Sequence, residues 1–576
     1  MVHIIDYLPH SHEWVALLDP YGSPPHRALL TPVSRGAATQ PPVFTMDASW
    51  PALLQLMSTL PDAVLTPDAK QVADNYTATF GVGHWNDPIQ QTLPEGFTPF
   101  PWQTEAAAQY PHSERLLLND EPGTGKSFSA VMAIREHNLK HNSGRSWTLV
   151  ICPAAVITPW IESWQRLEPD TPIIRFQGDG RRKQLNNHLK NPKGIIVTSY
   201  HTARIDLKHL LPVAVHHLIV DEHHHIKNPR SANFKTVRSL AENKHRQPGT
   251  IFLSGTPITH HQGDMWPPLV CMWPSAYPSR IRFESRYLEK VEEDYGEKII
   301  GFLPHRRWEF DMSIMGQQRR IAKADALPWL PDKQYMVREV ELPREWRKHY
   351  DSMKTDMVAN LPDSDMPLAA MSVVAQIQFL QALAASPCDV EVSQELDEYG
   401  DLVDRFHAIM QPGSWKVAEL MEVLDERPGE QVAVFSASRQ LVELAGSALE
   451  EAGISHGFVV GDQTGEVRDR DIAEFQAGRL RVMLLTTGAG GTGITLTAAS
   501  CAVFLSRPYA LVDALQAEDR LHRIGSEVHD SIDIIDIVAR NTVDYAIRTR
   551  LLDKGENLAD VLRDTRVLRE ILGGRG

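Results

Sequence analysis

The run RLLLNDEPGTGKSFSAVMAI, residues 115–134, constrains the fold more than any other stretch. A short apolar strand pattern empties into Gly123-Thr124-Gly125-Lys126-Ser127, and a helical pattern follows at once. Strand, glycine loop and helix in that order form one unit of a parallel α/β architecture. The glycines let backbone N–H groups close around phosphate oxygens, and the helix N-terminus adds its dipole. In such a loop Lys126 reaches the β- and γ-phosphates and Ser127 holds Mg²⁺, so the expected cofactors are ATP and Mg²⁺. The strict pattern G-x-x-x-x-G-K-[ST] fails at its first glycine, where Asp120 stands.

The same rhythm continues after this unit. WTLVICP precedes ITPWIESWQRL, and GIIVTSY, HHLIVDE and GTIFLSG follow. It fades between about 276 and 410, where charged helical stretches such as REWRKHYDSMKTDMVANL dominate. It returns in QVAVFSAS, HGFVVGD, RVMLLTTG, CAVFLSR and SIDIIDIVA. The expected fold class is therefore α/β, with two doubly wound parallel-sheet lobes joined through a mainly helical insertion. The expected boundaries are 1–95 for a small N-terminal β-containing module, 96–275 for the first lobe and 276–410 for the insertion. The second lobe follows over 411–555, with a C-terminal helix and tail over 556–576.

DEHHHIKNP, residues 221–229, follows the apolar run PVAVHHLIV. Asp221 and Glu222 thus sit at the carboxyl end of a strand, where parallel sheets bind their ligands. In phosphoryl transfer a second acidic motif supplies a metal-holding Asp and a residue that orients water. Asp221 fits Mg²⁺, and Glu222 fits the base that activates water. The three adjacent histidines do not read as a zinc site. Ligands on one helix face recur at wider spacing, as in H-E-x-x-H, whereas neighbouring positions point apart. His224 is expected to link the phosphate site to the next motif, and His223 and His225 to pack locally.

With 58 basic and 73 acidic residues the formal charge is −15, which weighs against a broad basic nucleic-acid face but not against a local groove. RRKQLNNHLKNPK, residues 181–193, is one candidate groove, and a solvated loop is the alternative. Four separated cysteines with no C-x-x-C pair fit a reducing compartment, so the expected location is the cytoplasm of a bacterial or phage-infected cell, or the nucleus of a eukaryote. Neither a signal peptide nor a membrane-spanning apolar run is apparent.

Further motifs fall in a set order: PFPWQTEA, NDEPGTGKS, LVICPAAVITPW, DEHHHIKNP and LSGTPITHHQGDMW, then SWKVAEL, VAVFSAS, LLTTGAGGTGITLTAAS and QAEDRLHRIGS. Over about 97–555 this set resembles the SWI/SNF-type DNA-translocating ATPases of helicase superfamily two. NDEPGTGKS is similar to that family's D-E-M-G-L-G-K-T, which also carries Asp at the place of Asp120. The resemblance implies two RecA-like lobes. It implies nucleotide contacts by Gln103, Gly123, Thr124, Gly125, Lys126, Ser127, Gly491, Gly493 and Gln516. It implies catalysis by Lys126, Asp221 and Glu222, with Arg520 and Arg523 as arginine fingers from the second lobe. His224, Ser254, Gly255 and Thr256 would couple the site to movement. His223 replaces the family's alanine, His260 and His261 stand at two asparagines, and Gly488 stands where the family has Arg or Lys.

The implied partner is DNA, held as duplex through its backbone without sequence preference. LVICPAAVITPW resembles the stretch that touches the backbone, which nominates Pro153 and Trp160. Hydroxyls of VTSY and TTGAGGTG nominate Thr198, Ser199, Thr486 and Thr487. The expected activity is an ATP-driven DNA translocase. A strand-separating or annealing helicase and a non-catalytic nucleotide-gated DNA-binding module are the alternatives, and the N-terminal module is a candidate docking point for a protein partner. No membrane role is expected.

Overall fold

Buried apolar strands set the frame. In this computed structural model residues 84–551 are described, apart from 142–145, 244–247, 259–260, 294–295, 315, 362–367, 370–372, 397–401, 462, 464, 491–493, 510 and 550. Before residue 84 the described segments are 4–8, 13–17, 31–32, 43–47, 50–59 and 63–76. The chain divides into two units, Met1–Ala326 and Leu327–Gly576.

The first unit contains a seven-stranded sheet in which every neighbouring pair is parallel. Its order is Gln318–Arg319, Arg115–Leu118, Gly249–Leu253, His217–Asp221, Ser146–Cys152, Lys193–Ser199, Ile173–Arg175. Ser146–Cys152 and Gly249–Leu253 are buried along their whole length, as expected of strands covered on both faces. The helices Pro101–Ser113, Lys126–Lys140 and Ile157–Leu167 bury Tyr110, Met132, Trp160 and Trp164 in its core. NDEPGTGKS, LVICPAAVITPW, DEHHHIKNP and LSGTPITHHQGDMW then fall at the carboxyl ends of strands, where helix N-termini and loop N–H groups converge, while PFPWQTEA runs into the start of the helix Pro101–Ser113.

The second unit contains a six-stranded parallel sheet in the order Asp332–Val340, Ser531–Ala539, Cys501–Phe504, Val432–Ser436, Val482–Thr486, His456–Val459. The two doubly wound lobes are as the sequence predicts. The segment 276–410 holds the helices Pro304–Ile314, Arg344–Asp356 and Val373–Ala385, but it is not helical throughout. It includes the hairpins Leu288–Glu293 with Gly296–Phe302 and Cys388–Leu396 with Leu402–Met410. It also lends an edge strand to each parallel sheet, Gln318–Arg319 to the first and Asp332–Val340 to the second. Asp332–Val340 mixes exposed and half-buried residues until its last position, so it lacks the buried apolar run that marks a central strand.

The N-terminal module has a five-stranded sheet in the order Thr31–Pro32, Val43–Asp47, Glu13–Leu17, Ile4–Leu8, Val64–Leu65, with the helices Trp50–Thr59 and Pro67–Tyr76. Gln55 ties it to the rest of its unit, donating to Ala276 O at 3.0 Å while its own carbonyl accepts from Arg286 at 3.3 Å. Residues 543–549 are helical; the predicted helix beyond residue 551 lies outside the described residues. The four cysteines are buried and free. Among the described residues no helix is long and apolar enough to cross a membrane.

Candidate active site

The phosphate loop is built around two left-handed glycines, Gly123 at φ 85° and Gly125 at φ 81°. That conformation costs a side-chain-bearing residue energy and glycine almost none. Thr124 is fully buried and its hydroxyl donates to Glu121 O at 2.8 Å, closing the loop on itself. Lys126 opens the helix and folds back, donating to Asp120 O at 2.8 Å and Glu121 O at 3.2 Å. Ser127 lies half-buried one residue further on. The trace fits a phosphate: loop N–H groups lie at a helix N-terminus beside a lysine that donates to loop carbonyls.

Several side chains brace that loop. Trp102 donates its indole N–H to Thr124 O at 2.9 Å and stacks on Phe100 at 4.6 Å between ring centroids. Gln103 accepts from Phe100 N at 3.0 Å and donates to Gly125 O at 3.4 Å, so its amide joins the start of the helix to the loop. A Cβ on Gly125 would lie 2.6 Å from that amide nitrogen, a second reason for glycine there.

Asp120, the departure from the usual glycine, is a buried anchor. Its carboxylate accepts from the Arg319 guanidinium and from Ile321 N at 3.0 Å. Arg319 also reaches Trp102 O and Glu105. Glu121 accepts from Arg320 at 3.0 Å and from Lys323 N at 2.7 Å. The two acids before the glycines are thus clamped by residues about 200 positions away, and Arg319 and Arg320 join the site as residues that sequence reasoning missed.

Asp221 and Glu222 stand at the end of His217–Asp221, two strands from the one that leads into the phosphate loop. Asp221 accepts from the Trp160 indole at 2.8 Å and from Glu222 N at 3.0 Å. Burial, then the charge of Glu222, pushes its carboxyl up to about 6, while Trp160 and Lys126 pull the other way. Glu222 is a non-glycine residue in the left-handed region, φ 50° and ψ 57°. Such strain persists where the surroundings hold it. Burial opposes its charge, but the hydrogen bond and charge of His224, with Lys126 beyond, outweigh burial and keep it ionised. Glu222 accepts from Ser254 Oγ at 3.3 Å, and His224 Nδ1 lies 3.3 Å from both Glu222 Oε2 and Ser254 Oγ. Ser254 Oγ also accepts from Thr256 N at 3.2 Å. This triangle links the acid motif to S-G-T. A Cβ on Gly255 would meet Pro122 of the phosphate loop at 2.6 Å, so that link passes close to the loop as well.

The three histidines diverge. His223 is buried against Phe252 and Asn119, with burial first and then His224 lowering its ring to about 3. His225 packs on the Tyr200 ring at 5.1 Å. His261 caps the turn Gln262–Met265 by accepting from Gly263 N at 3.0 Å, and His260 lies outside the described residues.

At three of the expected DNA contacts the side chain faces inward. Trp160 is buried with its N–H on Asp221, so it positions the acid. Thr198 is buried and donates to Phe176 O at 3.0 Å. Ser199 is buried and caps the helix Tyr200–Ile205, accepting from Thr202 N. Pro153 and Thr486 are half-buried, and Thr487 is buried at the start of Thr487–Gly490. In the basic run 181–193, Arg181 and Arg182 both bind the buried Asp206, each at 2.5 Å; Arg181 is half-buried and Arg182 stays exposed.

In the second unit Arg520 and Arg523 both donate to Ile494 O, at 3.4 and 3.2 Å, and Arg523 also reaches Thr495 Oγ1 at 3.2 Å. Leu496 N donates to Arg520 O at 2.9 Å, so the arginine segment and the chain following the glycine motif form one unit. Gly491 and Gly493 lie outside the described residues. Gln516 is buried on the helix Leu511–Glu518. Glu518 on the same helix accepts from Arg507 at 2.6 Å and Tyr335 at 2.9 Å, a buried anchor for the segment. Gly488, where the family carries a cation, has no atom within 4 Å of an added Cβ.

Two parallel-sheet lobes, a phosphate loop paired with an Asp-Glu strand end, and an arginine segment define a helicase-type ATPase. Residues 75–387 match the SNF2-related domain and residues 415–525 the helicase conserved C-terminal domain, and the chain belongs to the SNF2-related family. A zebrafish (Danio rerio) chromodomain-helicase-DNA-binding protein 1-like is 26% identical over 452 residues, covering 77% of this chain and 41% of its own. An ATP-dependent helicase of Mycoplasma genitalium is 25% identical over 435 residues, 75% of this chain and 38% of its own. A putative helicase/translocase of Bacillus subtilis is 26% identical over 418 residues, 71% and 42% respectively. The chain thus spans less than half the length of these relatives. The solved SWI2/SNF2 ATPase core of Sulfolobus solfataricus with dsDNA aligns over 84% of this chain and 99% of its own, at 19% identity and TM-score 0.37.

Proposed function

We propose that the chain hydrolyses ATP when it binds duplex DNA and uses the cycle to move along that duplex. The observation that carries this reading is the arrangement around Glu222. A carboxylate on a left-handed backbone sits beside Asp221 and is tied through His224 and Ser254 to the following motif. A base so placed takes the proton of a water attacking the γ-phosphate. Ser127 and Asp221 would hold Mg²⁺, which when bound would supply charge neutralisation for phosphoryl transfer. Lys126 would then exchange its loop carbonyls for phosphate oxygens. The Ser254 link gives hydrolysis a route to a DNA-holding segment.

DNA enters as part of the proposal, supported by the family and by the names of relatives described as DNA-binding or translocase. Phosphate contacts of this kind make binding salt-sensitive and indifferent to sequence. A triplex-displacement assay tests movement. The chain with MgATP should strip a third strand from blunt duplex, and Glu222→Gln should not. A strand-separation signal on forked DNA without triplex displacement would replace translocation with unwinding.

A further inference from the structure

The tetrapeptide HWND, residues 84–87, and His112 belong to none of the motifs above, yet they meet. Asp87 N donates to His84 O at 3.1 Å, a turn that places both side chains on one side. His112 lies in the last turn of Pro101–Ser113. His84 Nδ1 is 3.0 Å and His112 Nε2 is 3.2 Å from the same oxygen, Asp87 Oδ2. The two rings stack at 3.8 Å with 15° between their planes. One ligand atom from each residue lies within 4.8 Å of the other two. On a tetrahedral ion with bonds of about 2.0–2.2 Å, ligand atoms are about 3.3–3.6 Å apart, so small side-chain rotations suffice.

The surroundings already fix these groups. His84 N donates to Gln109 Oε1 on the helix that carries His112. Gln90 N and Gln91 N donate to the buried Glu136 at 2.8 and 3.0 Å, and Gln91 Nε2 donates to Met132 O at 2.9 Å. Ligands mounted on rigid elements are what a metal site needs. The three side chains keep 27%, 40% and 30% of their surface open, which leaves an ion an entry path and a water its fourth position.

We propose that His84, Asp87 and His112 bind a divalent transition-metal ion of the Zn²⁺ class. Two imidazoles and one carboxylate suit such ions and poorly suit Mg²⁺, which prefers oxygen ligands. The ion pins residues 84–87 to the end of a helix whose other end holds Trp102 and Gln103 on the phosphate loop. It therefore fastens residues 84–87, near the C-terminal end of the expected N-terminal module, onto the helix Pro101–Ser113 of the ATPase lobe.

The test is Zn²⁺ titration of the chelator-stripped full chain, with Co²⁺ absorption as a second probe. His112→Ala, exposed at its helix end, and Asp87→Asn serve as variants. With 25 histidines in the chain, the comparison with the variants is what assigns the site. The expected result is one high-affinity equivalent of Zn²⁺ in the wild type, weakened at least about tenfold in either variant. Zn²⁺ should raise the unfolding temperature of the wild type alone, and Co²⁺ should give a four-coordinate visible spectrum that the variants lack. Equal Zn²⁺ binding by wild type and variants, or no stoichiometric binding, overturns the proposal.

Discussion

Replacing Arg319 with methionine isolates the anchor of the phosphate loop. Asp120 is fully buried, and its carboxylate depends on the Arg319 guanidinium and the Ile321 N–H. Methionine keeps much of the apolar stem but leaves the carboxylate half-satisfied. Removing one partner of a buried pair costs about 3–5 kcal/mol. At about 2–4 °C per kcal/mol for a unit of this size, its unfolding temperature should fall by about 6–20 °C. Tryptophan fluorescence during heating follows it. In an Asp120→Asn background the same change leaves no stranded charge, and a favourable coupling of about 0.5–3 kcal/mol should appear in the cycle. The pH dependence carries a definite sign. Burial pushes the Asp120 carboxyl up, while Arg319 and Lys126 pull it down. Without Arg319 it rises further, so the folded variant keeps its proton to higher pH. A group with a raised folded pKa loses stability as pH climbs from its unfolded to its folded value. The deficit of Arg319→Met should therefore be smallest in acid, grow as pH rises and then level off. A deficit under about 1 kcal/mol, or one equally large and pH-independent in the Asp120→Asn background, would refute the anchor.

Three further outcomes follow from the site. Ser254→Ala removes a hydrogen bond to a charged group, worth about 1.5–3 kcal/mol, so DNA-stimulated turnover should drop about 10- to 100-fold with fluorescent-ATP affinity nearly unchanged. Trp160→Phe should slow turnover at saturating DNA about tenfold while leaving the salt dependence of DNA binding intact; an altered salt slope would return Trp160 to the DNA face. Gly488→Arg places a cation in open space, so the unfolding temperature should hold while the salt slope of DNA binding steepens by about one phosphate contact.

Legibility in the sequence followed burial. Ser146–Cys152, Gly249–Leu253 and Val432–Ser436 are covered on both faces, read as continuous apolar runs, and mark both sheets. Gln318–Arg319 and Asp332–Val340 are edge strands, and with one neighbour each they carry charges and no run. The glycine loop and the Asp-Glu pair were legible because their chemistry is local. The Arg319–Asp120 pair was not, because sequence spacing says nothing of contacts across about 200 residues. Trp160, Thr198 and Ser199 occupy positions at or near strand ends that a sequence can nominate, but their facing depends on packing: each side chain turns inward to satisfy Asp221, Phe176 or a helix end.

Steady-state ATP hydrolysis tests the central claim most directly. The chain with Mg²⁺ would be assayed without nucleic acid, then with blunt duplex, forked DNA, single-stranded DNA and RNA. Glu222→Gln would run beside it. The account predicts strong stimulation by blunt duplex and a fall of about 10²–10⁴-fold in the variant. Hydrolysis that stays flat with every nucleic acid, or survives Glu222→Gln, would contradict it.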